Sequence, residues 1–170
     1  MLEHPDLQDE HIIACVQNAY GLSVVHVAFL PLGADRNTAV YRVVADDESP
    51  YFLKLRGGDF DETSVAFTKC LSDQGIEHII APLTTTNGQL WANLGTFKVI
   101  LYPFVEGHNG YEVDLSDRHW SEFGTVLKRL HTAKVPPTLI RRIRRETYAP
   151  QWRDIVKTFL ERVCVFSLNG

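Results

Sequence analysis

The chain has 170 residues, the size of one domain or of two small lobes. Hydrophobic residues make up 45% and charged residues 22%, an ordinary globular mixture that argues against disorder, collagen or low complexity. Seventeen Lys and Arg against 21 Asp and Glu give a net charge of −4, which excludes wholesale nucleic-acid binding, and no apolar run reaches the roughly 18 residues of a membrane span.

The start, Met1-Leu2-Glu3-His4-Pro5-Asp6, carries acids where a signal peptide needs basic and apolar residues, so a cytoplasmic protein is expected. A helix is predicted over 7–20: Ile12, Ile13, Val16, Ala19 and Tyr20 recur at helical spacing, and Gly21 offers a left-handed stop. The period then changes. Val24 to Leu30, Ala39 to Ala45 and Tyr51 to Arg56 are short β-branched or aromatic stretches separated by turns, and their close spacing predicts an antiparallel meander.

A second helix is expected from about Asp61 to Gln74, stopped at Gly75, with Asp59 and Glu62 at the spacing of a capping box. Further strands are predicted around Ile79 to Thr84, Gln89 to Asn93 and Phe97 to Phe104, with Asn87-Gly88 as a hairpin turn between the first two. Residues 105–115 read as a loop or linker. Trp120, Phe123, Leu127 and Leu130 then share one face of a helix that Ser116 can cap, and Trp152, Ile155, Val156, Phe159, Leu160 and Val163 form the stripe of a last one. The organisation is α+β: a β-rich lobe over 1–104, a hinge, and helices over 116–170.

Four features carry possible chemistry. The turn Gly33-Ala34-Asp35-Arg36-Asn37-Thr38 can aim backbone N–H groups at phosphate oxygens, although a polar hairpin turn would look the same. Alternation puts Phe52, Lys54 and Arg56 on one face of their strand; a lysine amid apolar neighbours must reach a cleft or an acid, unless it protects a sheet edge. Glu62, in the first turn of the second helix, suits either a partner for Lys54 or the helix N-terminus. Last, the strand Val99 to Phe104 runs into a loop at the border between lobes. There, backbone groups beside Pro103 can pair with the edge of a base, although an ordinary last strand of the sheet would look the same.

In this order the four features resemble the N-terminal lobe of the protein-kinase-like fold, with Lys54 in the place of the lysine of V-A-I-K. The wording is closer to the aminoglycoside phosphotransferase family, in particular its spectinomycin phosphotransferase branch. Gly33-Ala34-Asp35-x-Asn37, Tyr51 to Leu55, Asp61-Glu62 and Tyr102-Pro103-Phe104 carry the likeness, as do Phe123-Gly124-x-x-Leu127-x-x-x-His131 and Glu146-x-Tyr148-x-Pro150-x-Trp152-Arg153. The resemblance implies ATP-dependent phosphoryl transfer to a hydroxyl of an aminocyclitol or aminoglycoside antibiotic, hence antibiotic resistance, with Mg2+ as the accompanying ion. It also implies an antiparallel sheet of about five strands plus one helix. Lys54 would bind the α/β-phosphates and Glu62 would orient it. The turn of Gly33, Ala34, Asp35, Asn37 and Thr38 would cover the phosphates, Phe52 would pack on the base, and the backbone of Tyr102 and Phe104 would hold adenine.

Such a kinase also needs an Asp that accepts the hydroxyl proton, an Asn five residues later, and a second metal-binding Asp. After residue 110 the aspartates are Asp114, Asp117 and Asp154, and His119, Glu122 and Phe159 stand five positions on. The catalytic Asp and the Mg2+ ligands are therefore expected outside this sequence. The chain is expected to be the ATP-binding half of a kinase roughly twice as long, inactive by itself and prone to self-association through exposed helix faces.

A rival class is a non-catalytic module that binds a nucleotide or, through Arg141, Arg142, Arg144 and Arg145, an acidic partner; salt-sensitive binding lost with those arginines would favour it. Cys15, Cys70 and Cys164 show no zinc spacing and are expected to be small buried residues. His131 is expected to be packed and hydrogen-bonded, and His78, His108 and His119 lack metal spacing.

Overall fold

The computed structural model describes residues 5–32, 35, 37–108, 110–144 and 152–159. Gly33, Ala34, Cys164, Leu160, Val163 and the Glu146 to Pro150 motif lie outside the described residues. Two compact units divide the chain, 1–140 and 141–170.

The first unit opens with α1 (Asp9–Tyr20), ended by Gly21 at φ +70°, whose N–H donates to the Gln17 carbonyl. Then β1 (Val24–Leu30), β2 (Thr38–Ala45) and β3 (Pro50–Arg56) form the expected meander, followed by α2 (Glu62–Asp73). β4 (Ala92–Leu94) and β5 (Phe97–Pro103) complete a five-stranded sheet in the order β1-β2-β3-β5-β4, antiparallel at every pairing.

Period-two alternation divides the sheet into two faces. On one, Tyr41, Val43, Leu53, Leu55, Val99 and Leu101 are wholly buried with Ile12 and Val16 of α1. Tyr20 fastens the same helix to β5 by donating its hydroxyl hydrogen to the Val99 carbonyl at 3.1 Å. Phe29 packs edge-on against Tyr41 in the same layer. The second face carries Val40, Lys54 and Ile100 in one row and Arg42, Phe52 and Tyr102 in the next.

Three local expectations are corrected. Residues 79–84 form no strand: this stretch touches the sheet through the Leu83 N–H, which donates to the Leu101 carbonyl at 2.7 Å, while β4 takes the sheet edge. Asn87-Gly88 closes a turn within 85–89, where Thr85 N–H donates to Gln89 O at 2.8 Å, and the hairpin proper turns at Gly95-Thr96 between Leu94 and Phe97. Gly95, at φ +57°, supplies the left-handed backbone that so short a connection requires. The cap of α2 is Asp61, not Asp59: its side chain accepts from Thr63 N–H at 2.9 Å.

Beyond the sheet, α3 (Asp117–Thr132) begins in a capping box between Ser116 and His119, and α4 (Pro137–Ile140) buries Leu139. The amide of Gln74, just past α2, makes two hydrogen bonds to the Lys134 backbone, at 2.9 and 3.0 Å, and so ties the end of α2 to the segment after α3. No residue of α3 is buried, and Trp120, Phe123 and Leu127 are exposed. His131 is exposed too, against expectation, because the face of α3 has no packing partner among the described residues. Cys15 and Cys70 are half-buried rather than buried. In the second unit, a turn at 141–144 and a helical stretch at 152–159 are described, with Trp152, Ile155, Val156 and Phe159 exposed. Among the described residues no helix is long and apolar enough to cross a membrane.

Candidate functional site

The face of the sheet opposite α1 holds a cleft of about 410 Å³. Leu30 and Leu32 form one wall, Phe52 and Lys54 of β3 the floor, and Ile80 with residues 102–105 the other wall. Its lining is mostly apolar, and Lys54 brings the one charged side chain among the lining residues. Among the described residues Lys54 makes no ion pair or hydrogen bond, including none with Glu62. A half-buried cation that no carboxylate of the described residues neutralises carries a positive potential that can attract an anion.

At the mouth of the cleft β5 passes into the loop. Phe52 and Tyr102, cross-strand partners, set their rings 6.4 Å apart, tilted at 59° to each other, so that two aromatic rings line the cleft. Burial pushes the Tyr102 hydroxyl up in pKa. Arg42, in the same row, lies 5.1 Å above the Phe104 ring and pairs with Glu106 at 3.5 Å, so the strand exit is braced from β2. The backbone here differs in availability. Phe104 N–H already donates to the Pro50 carbonyl at 3.3 Å, and Pro103 has no N–H to give. Among the described residues the next donor, Val105 N–H, has no acceptor.

The turn leading into β2 is fixed at its described end. The Asp35 carboxylate accepts from Asn37 N–H at 3.0 Å and Thr38 Oγ1 at 3.2 Å, and pairs with Arg56 of β3. Arg56 also donates to Thr38 Oγ1 at 2.9 Å, and Gly57 N–H to the Asn37 carbonyl at 2.8 Å. The Asn37 backbone bond, then Arg56, hold the exposed Asp35 carboxyl below its ordinary pKa.

The structure thus brings Phe52, Lys54, Tyr102 and Phe104 to one cleft, and holds Asp35 and Thr38 through Arg56, two residues along β3 from Lys54. Glu62 sits half-buried at the start of α2 without reaching Lys54. Sequence reasoning missed Leu30, Leu32 and Ile80 as walls. Alternation along β1 could have placed Leu30, the partner of Val40, on the Lys54 face; nothing in the irregular 79–84 stretch marked Ile80. Among the described residues no three His, Cys, Asp or Glu side chains gather where a metal could sit.

No family model matches the chain, and no curated protein does. Solved structures do. Spectinomycin phosphotransferase in complex with ADP and spectinomycin is 32% identical with a TM-score of 0.79, over 94% of this chain and 48% of that one. The AMP-bound complex of spectinomycin phosphotransferase is 31% identical with a TM-score of 0.73, over 90% of this chain and 46% of that one. Amicoumacin kinase, solved with AMP-PNP, Ca2+ and Ami, shares the fold at a TM-score of 0.55 and 17% identity, over 84% of this chain and 45% of that one. The chain therefore spans about half the length of the solved proteins it matches. With its five-stranded antiparallel sheet and Lys54-bearing central strand, it has the fold of the protein-kinase-like N-terminal lobe and is similar, over about half of that protein's length, to spectinomycin phosphotransferase.

Proposed function

We propose that this chain is the ATP-binding half of an O-phosphotransferase of the spectinomycin kinase type, and that these 170 residues hold the nucleotide without transferring its phosphate. The observation that carries the reading is the Lys54 ammonium on the floor of a mostly apolar cleft, with the Val105 N–H at its mouth, both without a partner among the described residues. The base would lie on Phe52 between Leu30 and Ile80, its edge meeting the Pro103 carbonyl and Val105 N–H in place of the already engaged Phe104 N–H. Lys54 would then meet the α/β-phosphates. The turn of Gly33, Ala34, Asp35, Asn37 and Thr38 would lie over them, and Glu62 would steer Lys54 on nucleotide binding.

These are positioning and electrostatic roles, which account for most of phosphoryl-transfer catalysis. The sequence contains no Asp followed five residues later by Asn, so nothing in it can take the acceptor's hydroxyl proton in the usual arrangement. Mg2+ fits no cluster of the described residues, and its ligands are assigned outside this chain. In the complete enzyme the acceptor would be a hydroxyl of an aminocyclitol such as spectinomycin.

The test is direct. The purified 170-residue chain should bind a fluorescent ATP analogue that unlabelled ATP displaces, and should give no labelled spectinomycin from γ-labelled ATP. Transfer above the rate without protein would overturn the inactive half of the proposal. Absence of displaceable nucleotide would overturn the whole.

A further inference from the structure

Asp35 presents a difficulty for the nucleotide reading. A carboxylate in a turn meant to lie over a triphosphate would repel it, by roughly 1 kcal/mol per charge pair at 4 Å even in water. The geometry removes the difficulty. Both Asp35 carboxylate oxygens are occupied by groups of its own hairpin and of β3: Asn37 N–H, Thr38 Oγ1 and the Arg56 guanidinium. Arg56 in turn reaches Thr38 Oγ1, so one cation joins the turn's exit to the strand that carries Lys54. Thr38 and Arg56 are cross-strand partners, and Gly57 N–H adds a backbone bond to Asn37. This is a bonded ring across two strands. The Arg56 side chain is 29% exposed and that of Asp35 47%, so the network matters for the geometry it fixes rather than for ion-pair energy.

Building on the nucleotide reading, we infer that the Asp35–Arg56–Thr38 network is a positioning latch: it fixes the exit of the phosphate turn at a set distance from Lys54 and touches neither phosphate nor metal itself. Asp35 and Arg56 are then positioning residues acting through the turn backbone. The latch concerns phosphate oxygens only, because the adenine end of the cleft, at Phe52 and residues 102–105, lies in different rows of the sheet. It therefore separates ATP from adenosine as ligands.

The experiment measures dissociation constants for ATP and adenosine, with melting temperatures, for wild type, Asp35→Asn, Arg56→Gln, the double variant and Arg56→Lys. Each single variant should weaken ATP about tenfold, which is about 1.4 kcal/mol, and leave adenosine within twofold. The double variant should be no worse than either single, since both break one unit. Arg56→Lys should recover part of the ATP affinity, because it keeps the charge and loses the fork.

Opposite effects of the singles, with Asp35→Asn tightening ATP and Arg56→Gln weakening it, would show direct phosphate contact and overturn the latch. So would equal losses for ATP and adenosine accompanied by a lower melting temperature, the mark of a merely structural pair. Variants that bind ATP like wild type overturn it as well. Failure of the underlying reading looks different: wild type then binds neither ATP nor adenosine.

Discussion

Neighbouring residues of β3 lead opposite lives. Leu53 and Leu55 point into the layer between sheet and α1 and are wholly buried; Phe52 and Lys54, one step away, point into the cleft and stay half-exposed. The difference is one of period alone, since successive side chains of a strand face opposite ways. It means that stability and the proposed nucleotide binding can be damaged separately by substitutions about 3.8 Å apart along the chain, one Cα–Cα step.

The largest expected effect falls on the buried side. Leu53→Ala should cost about 3 kcal/mol of unfolding free energy, the usual result of emptying a leucine-sized hole in a packed core. Chemical denaturation measures it. A loss below about 1 kcal/mol would mean that α1 settles onto the sheet to fill the gap, and the two faces would then be less distinct than their burial suggests.

The cleft side should show the reverse. Lys54→Met keeps the length and most of the apolar stem and deletes the ammonium, so the unfolding free energy should stay within about 0.5 kcal/mol. ATP affinity should nevertheless fall at least about tenfold, as expected when a charge-assisted contact to phosphate is lost. Isothermal titration and a melt on the same sample report both quantities. A large stability loss with unchanged ATP binding would assign Lys54 to the fold instead of the ligand.

Much of this division was legible in the sequence, because alternation is a local property. The stretch Tyr51 to Arg56 names its own faces, and the meander of β1, β2 and β3 follows from strand length and turn spacing. What was not legible depends on partners distant in sequence. Ile79 to Thr84 has strand-like composition, yet the edge of β5 is taken by Ala92–Leu94, and composition cannot tell which of two candidates wins one edge. Asp59 and Asp61 both suit a helix start, and only the turn after Gly57 and Gly58 decides that Asp61 meets Thr63 N–H. The Lys54–Glu62 partnership belongs to the same class. Its spacing along the chain is readable, but the distance between a strand and a helix start is not, and among the described residues no ion pair joins Lys54 to Glu62.

The smallest expected effect comes from a second contrast, between α1 and α3. Both carry apolar side chains at helical spacing, but α1 buries Ile12 and Val16 completely, whereas α3 buries nothing and leaves Trp120 and Phe123 more than half exposed. Amphipathic pattern therefore measures what a helix can bury, not what it does bury. Replacing both aromatics, Trp120→Ser with Phe123→Ser, removes an edge-on ring pair whose centroids are 6.4 Å apart on an exposed face. That should change the unfolding free energy by less than about 0.5 kcal/mol, because the rings already meet water in the folded chain. Binding of a hydrophobic dye to the native protein should drop at the same time, since these rings form part of the exposed apolar surface. A loss of 2 kcal/mol or more, about that of a buried side chain, would show that α3 packs in solution as α1 does. The contrast between the helices would then disappear.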